Sequence, residues 1–103
     1  MSEEMEQGQE AVSRILIVED DAEVREFLRF ELEEDYAVLE AENGHAGLEL
    51  ALEHQPDLMV VDVMMPVMDG IELCRRIKTG EETSHIAVIM LTARDEERDQ
   101  LEG

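Results

Sequence analysis

Residues 57–70 read DLMVVDVMMPVMDG, an apolar run from Leu58 to Val61 that delivers one carboxylate, Asp62, to the head of a loop holding Pro66 and closing on Asp69-Gly70. A charge at the end of an apolar strand is costly unless something pairs with it. Asp62 is therefore a candidate nucleophile or metal ligand, and the other carboxylates of the chain decide between the two.

Working outward, Arg14 to Val18 (RILIV) is another apolar run of strand length, rich in β-branched residues, and it ends in Glu19, Asp20 and Asp21. From Ala22 the pattern turns helical, with Val24, Phe27, Leu28 and Leu32 on one stripe and acids ahead of the helix N-terminus. Tyr36 to Ala41 is shorter and mixed, as suits an edge strand. Asn43-Gly44 then supplies turn chemistry and an N-cap for a helix from Gly44 to His54, with Ala46, Leu50 and Ala51 on its apolar side and Pro56 just beyond its end. After the 57–70 stretch a third helix places Leu73, Cys74 and Ile77 inward and stops at Gly80. Ile86 to Leu91 (IAVIML) is the fourth strand, followed by Thr92-Ala93 and an acidic segment, Asp95 to Gly103, that begins a fourth helix. Residues 1–13 are polar and acidic without apolar periodicity and read as a disordered leader; residues 14–103 read as the domain.

Strands that alternate with helices, the central ones apolar on both faces, predict an α/β fold with a parallel sheet flanked by helices. In such sheets ligands sit beyond the carboxyl ends of the strands, where the strand order reverses. That rule selects Glu19, Asp20 and Asp21 after strand one, Asp62 after strand three and Thr92 after strand four. Carboxylates converging on one point repel each other, and a shared hard cation relieves the repulsion. Mg2+ fits, because it takes oxygen ligands and is held by one or two carboxylates together with phosphate oxygens. A neighbouring aspartate can then attack phosphorus to give an aspartyl phosphate. Thr92 offers a hydroxyl to the transferred group, and Ala93 is small enough to let the backbone approach it.

The totals narrow the function further. A net charge of -20, from 28 acids against 8 bases, excludes nucleic acid as a partner of this chain. Lys78 is the single lysine, a bias that fits an acidic surface adapted to high salt. Three aromatics, Phe27, Phe30 and Tyr36, leave an aliphatic, methionine-filled core. One cysteine, Cys74, excludes an internal disulfide; no stretch approaches a membrane span, none resembles a signal peptide, and the cytoplasm is the expected compartment. His45, His54 and His85 lack metal-ligand spacing.

ILIVEDD, VVDVMMPVMDG and VIMLTA, in this order and spacing, resemble the receiver domain of two-component response regulators over Arg14 to about Asp95. The resemblance implies a flavodoxin-like sheet of order 2-1-3-4 with a fifth strand to follow. It implies that Asp62 is the phosphoacceptor, Asp20 a direct metal ligand, Glu19 an acid acting on the ion through water, and Met64 a ligand through its backbone carbonyl. Thr92 resembles the switch hydroxyl and Ala93 the small residue beside the phosphate, while Asp21 is read as a helix cap. CRRIKTGEETSHIAVIMLTA further resembles receivers attached to hybrid sensor kinases, although Ala87 stands where many relatives have proline.

The implied partner is a histidine kinase or histidine phosphotransfer protein, with Mg2+ as cofactor and hydrolysis of the protein's own adduct rather than turnover catalysis. Family members continue into a fifth strand with a phosphate-binding lysine and a switch aromatic, then a fifth helix, whereas this sequence stops at Gly103. The expectation is an incomplete receiver, with strand four uncovered on one side, self-association or domain swapping through that edge, and slow or lost phosphorylation. Two other readings stay open: a non-catalytic interaction module that keeps the acidic site, and a phosphohydrolase of related architecture. The second of these lacks a carboxylate next to Asp62 to serve as general acid, since VMMP follows it.

Overall fold

The four segments read as strands each form a strand of five residues, and the amphipathic segment between each successive pair forms a helix, in a computed structural model that describes residues 13–91. The order is β1 (Arg14–Val18), α1 (Ala22–Leu32), β2 (Ala37–Ala41), α2 (Gly44–His54), β3 (Leu58–Asp62), α3 (Gly70–Thr79) and β4 (Ala87–Leu91). The strands form one sheet in the order β2-β1-β3-β4, with every pair parallel. This is the flavodoxin-like α/β arrangement expected from the sequence. Most of the leader (residues 1–12), Thr92, Ala93 and the segment expected to begin a fourth helix lie outside the described residues.

The connection from β1 to β2 runs one way across the sheet, and those from β2 to β3 and from β3 to β4 run the other way. Right-handed crossovers then put α1 on one face and α2 and α3 on the opposite face. The cores follow this split. Leu16, Val18, Met59 and Val61 join Ala51, Leu73 and Ile77 on the α2–α3 face. Ile15, Ile17 and Val60 meet Leu28 and Leu32 of α1 on the other. Alternate residues of β1 and β3 serve opposite faces, so Ile15 to Val18 and Leu58 to Val61 are apolar without alternation.

Three expectations need correction. Leu28 and Leu32 pack inward as predicted, but Val24 is 38% and Phe27 60% exposed. The cause is placement: α1 lies over β1 and β2, and among the described residues no element covers its Val24–Phe27 flank. Cys74 is half-buried rather than a core residue, because Leu73 and Ile77 fill the inner face of α3. The fourth strand begins at Ala87 rather than Ile86, and Ile86 is buried just ahead of it; Ile89 is 51% exposed on a strand whose one partner among the described residues is β3.

The helix ends match the predicted chemistry. Asp21, Asn43 and Asp69 are the three N-caps, each accepting from backbone N–H groups of the first turn. Gly80 closes α3, and Thr83 Oγ1, fully buried, donates to the Ile77 carbonyl at 2.7 Å. Lys78 Nζ donates to the Ser84 and Ile86 carbonyls, both at 2.8 Å, and so anchors the approach to β4.

Candidate functional site

Parallel pairing aligns Val18 of β1 with Val61 of β3. The next residues along the chain are Glu19, just past the end of β1, and Asp62, so the register sets two carboxylates side by side at the carboxyl edge of the sheet. Asp62 is itself the last strand residue, one position later than the apolar run indicated, and it pairs with Leu91 of β4. The point lies between β1 and β3, where the strand order reverses.

Glu19, Asp20 and Asp62 each bring a carboxylate oxygen within 4.8 Å of the other two. They line a cleft of about 340 Å³ together with Asp21, Val24, Met64 and Leu91. Asp62 Oδ1 accepts from the Met64 N–H at 3.2 Å, which fixes the rotation of the carboxylate and turns the loop back over the strand end. Asp21 faces its own helix: its Oδ1 accepts from Glu23 and Val24 N–H at 2.9 and 3.3 Å, the capping role expected of it.

Glu19 is 5% exposed. Burial pushes its carboxyl up to about 7, and the negative charges of Asp62 and Asp20 act in the same direction, against an opposing hydrogen bond from the Asp21 N–H. Carboxylates converging on one point repel each other, and a shared hard cation would relieve that repulsion. The donor set is all oxygen, and ligand atoms on one magnesium stand roughly 3 to 4 Å apart, so the three residues fit a small hard cation.

A family model of the response regulator receiver domain matches residues 15–103. The chain belongs to the response regulator receiver family. This receiver is 51% identical over 82 residues to histidine kinase P4 of Formosa agariphila, covering 80% of this chain and 6% of that protein. It is 46% identical over 92 residues to the transcriptional regulatory protein ResD of Bacillus subtilis, covering 88% of this chain and 37% of that protein. It thus spans well under half the length of these curated relatives. Among solved structures, the N-terminal domain of a response regulator receiver protein from Methanoculleus marisnigri superposes with a TM-score of 0.78 at 35% identity, covering 89% of this chain and 78% of that one. The receiver domain of a signal transduction histidine kinase from Syntrophus aciditrophicus gives 0.75 at 38% identity, covering 89% and 74% respectively.

Of the receiver's predicted site residues, the structure brings Glu19, Asp20, Asp62 and Met64 to one cleft. Thr92 and Ala93, the next residues after Leu91, lie outside the described residues. The structure also adds residues that sequence reasoning missed. A Cβ on Gly70 would strike the Asp62 carbonyl oxygen and stand 2.8 Å from Val63 Cα, so helix α3 starts directly against the Asp62 backbone. Met68, 3% exposed, packs on Gly44 at the start of α2 and pins the loop after Asp62. The Asp69-Gly70 pair hinted at the first of these, since a glycine after an N-cap is not required by capping alone. In the methionine cluster, Met65 and Met68 are core residues, while Met64 is 53% exposed at the cleft.

Proposed function

We propose that the receiver takes a phosphoryl group onto Asp62 from a phosphohistidine on a histidine kinase or phosphotransfer protein. The observation that carries this reading is the convergence of Glu19, Asp20 and Asp62 within 4.8 Å at the switch point of the sheet. A carboxylate oxygen of Asp62 attacks phosphorus; the P–O bond forms as the P–N bond breaks, and the imidazole leaves with the electron pair and takes a proton. Glu19 and Asp20 would hold Mg2+, with Asp62 and the Met64 carbonyl completing the protein's share. A bound ion supplies charge neutralisation of the phosphoryl oxygens. The resemblance assigns Thr92 and Ala93 to the phosphoryl group, as hydroxyl donor and as small neighbour. Water attack on the same phosphorus returns the carboxylate, which makes the adduct a timed signal rather than a turnover product.

The test is intact mass after incubation with acetyl phosphate and Mg2+, for the chain and for Asp62→Asn. One phosphoryl adduct on the first and none on the second is expected. No adduct on either moves the function to a non-catalytic interaction module, and continuous phosphate release moves it to a hydrolase.

Self-association through β4 is part of the same proposal. Ile89 is 51% and Met90 37% exposed on a strand whose outer edge has no partner among the described residues, an arrangement that favours pairing with a second copy. Sedimentation velocity should give a dimer that Ile89→Lys dissociates; a monomer at all concentrations overturns it.

A further inference from the structure

Arg25 stands behind the acidic turn, outside the cleft that Asp62 lines. Its Nη1 donates to the Glu19 carbonyl at 2.7 Å, and its Nε pairs with Glu40 Oε1 at 3.2 Å. One helical turn on, Arg29 Nε holds the other oxygen of Glu40 at 2.9 Å. The Glu19 N–H donates to the Ala41 carbonyl at 3.0 Å. Both backbone polar groups of Glu19 are therefore tied to the end of β2, one directly and one through Arg25. The Arg25 side chain is only 18% exposed, so the clamp is shielded from competing water.

We propose that Arg25 is a positioning residue for the cation site: clamped between Glu40 and the Glu19 carbonyl, it sets how the β1–α1 turn presents the carboxylates of Glu19 and Asp20. The inference rests on the reading of Glu19, Asp20 and Asp62 as a divalent cation site. Two effects of opposite sign separate a clamp from a bystander charge. As a positive charge near a cation, Arg25 repels it, so electrostatics alone makes a neutral substitution tighten binding. As a clamp, its loss lets the turn relax and weakens binding. Lysine keeps the charge but is a point donor without the planar fork that spans Glu40 and the carbonyl together.

The experiment is calorimetric titration of the full chain with Mg2+, beside its thermal midpoint without Mg2+, for the wild type, Arg25→Met, Arg25→Lys and Arg29→Met. Arg25→Met should weaken Mg2+ binding about tenfold, as loss of a group that orients metal ligands does. Arg25→Lys should weaken it by at least about threefold, since the fork geometry is lost. Arg29→Met removes the same charge without a Glu19 contact and should stay within about twofold of the wild type or bind more tightly. If Arg25→Met does not fold, Arg25→Lys decides by its own criterion. Wild-type or tighter affinity in the Arg25 variants overturns the clamp and leaves the cation site standing, and so does a loss in Arg29→Met equal to that in Arg25→Met. Absence of Mg2+ binding in the wild type overturns the cation site and the clamp with it.

Discussion

Glu19, one residue past the end of β1, and Asp62, the last residue of β3, stand side by side at the carboxyl edge of neighbouring parallel strands, with carboxylate oxygens within 4.8 Å of each other. Burial and the adjacent charges raise Glu19 from its ordinary 4.5 to about 7 in the folded protein. Between those two values the folded state holds a proton that the unfolded chain has released. Stability of the metal-free protein must therefore fall as pH rises from about 4.5 to about 7, and this contribution is constant outside that window. Other carboxylates also respond to pH, so Glu19→Gln is the control. Urea midpoints should fall less across the window in the variant, and saturating Mg2+ should flatten the wild-type slope by replacing the proton with a cation. Identical slopes in wild type and variant would remove Glu19 as the source.

Gly70 packs against the backbone of Asp62 and Val63. A methyl group there would contact the Asp62 carbonyl oxygen and lie 2.8 Å from Val63 Cα, both of them backbone atoms that cannot swing aside as a side chain does. Gly70→Ala should destabilise the protein by about 1 to 3 kcal/mol, the cost of overpacking a filled site. It should also lower phosphoryl uptake at Asp62 in the molecules that remain folded. A urea-unfolding loss under about 0.5 kcal/mol would mean that α3 shifts outward without strain.

The strands, their order in the chain and the carboxylate edge were legible in the sequence, because a parallel sheet with both faces covered forces apolar runs and leaves its charges at the strand ends. Leu16, Ile17, Met59 and Val61 announced themselves in that way. The flank of α1 was not legible: Phe27 sits at the correct helical spacing, yet periodicity says nothing about whether a neighbouring layer exists to receive it. The same limit hid Arg25. An arginine on a polar helix face looks like solvated surface until β2 is seen to bring Glu40 beside it. Gly70 and Val67 depend on backbone geometry that residue type only hints at.

Val67 adopts φ 68°, in the left-handed region where a β-branched side chain is strained, and it is 91% exposed. It has almost no packing to lose. Val67→Asn should therefore stabilise the protein by about 1 kcal/mol, since asparagine tolerates this conformation and does not loosen the unfolded chain as glycine does. Thermal midpoints of the two proteins decide it. A fall in the variant would show that the Val67 side chain is held by contacts that outweigh its backbone strain.

The last prediction concerns salt. Twenty-eight acids against eight bases leave a net charge of -20 on 103 residues, so most carboxylates face like charges. The Debye length shrinks from about 10 Å at 0.1 M to about 3 Å at 1 M, which screens that repulsion. It also screens attractive pairs, such as Glu72 with Arg75 at 2.7 Å and Arg76 at 2.8 Å. Exposed pairs of this kind contribute only about 0 to 1 kcal/mol each, and with eight basic residues in the chain they are outnumbered by the repulsions. The thermal midpoint should rise steadily from 0.1 to 1 M KCl, a salt chosen because chloride strengthens apolar burial far less than sulfate does. A flat or falling midpoint would mean that the Glu72 and Glu40 ion-pair clusters outweigh the repulsion of the whole surface.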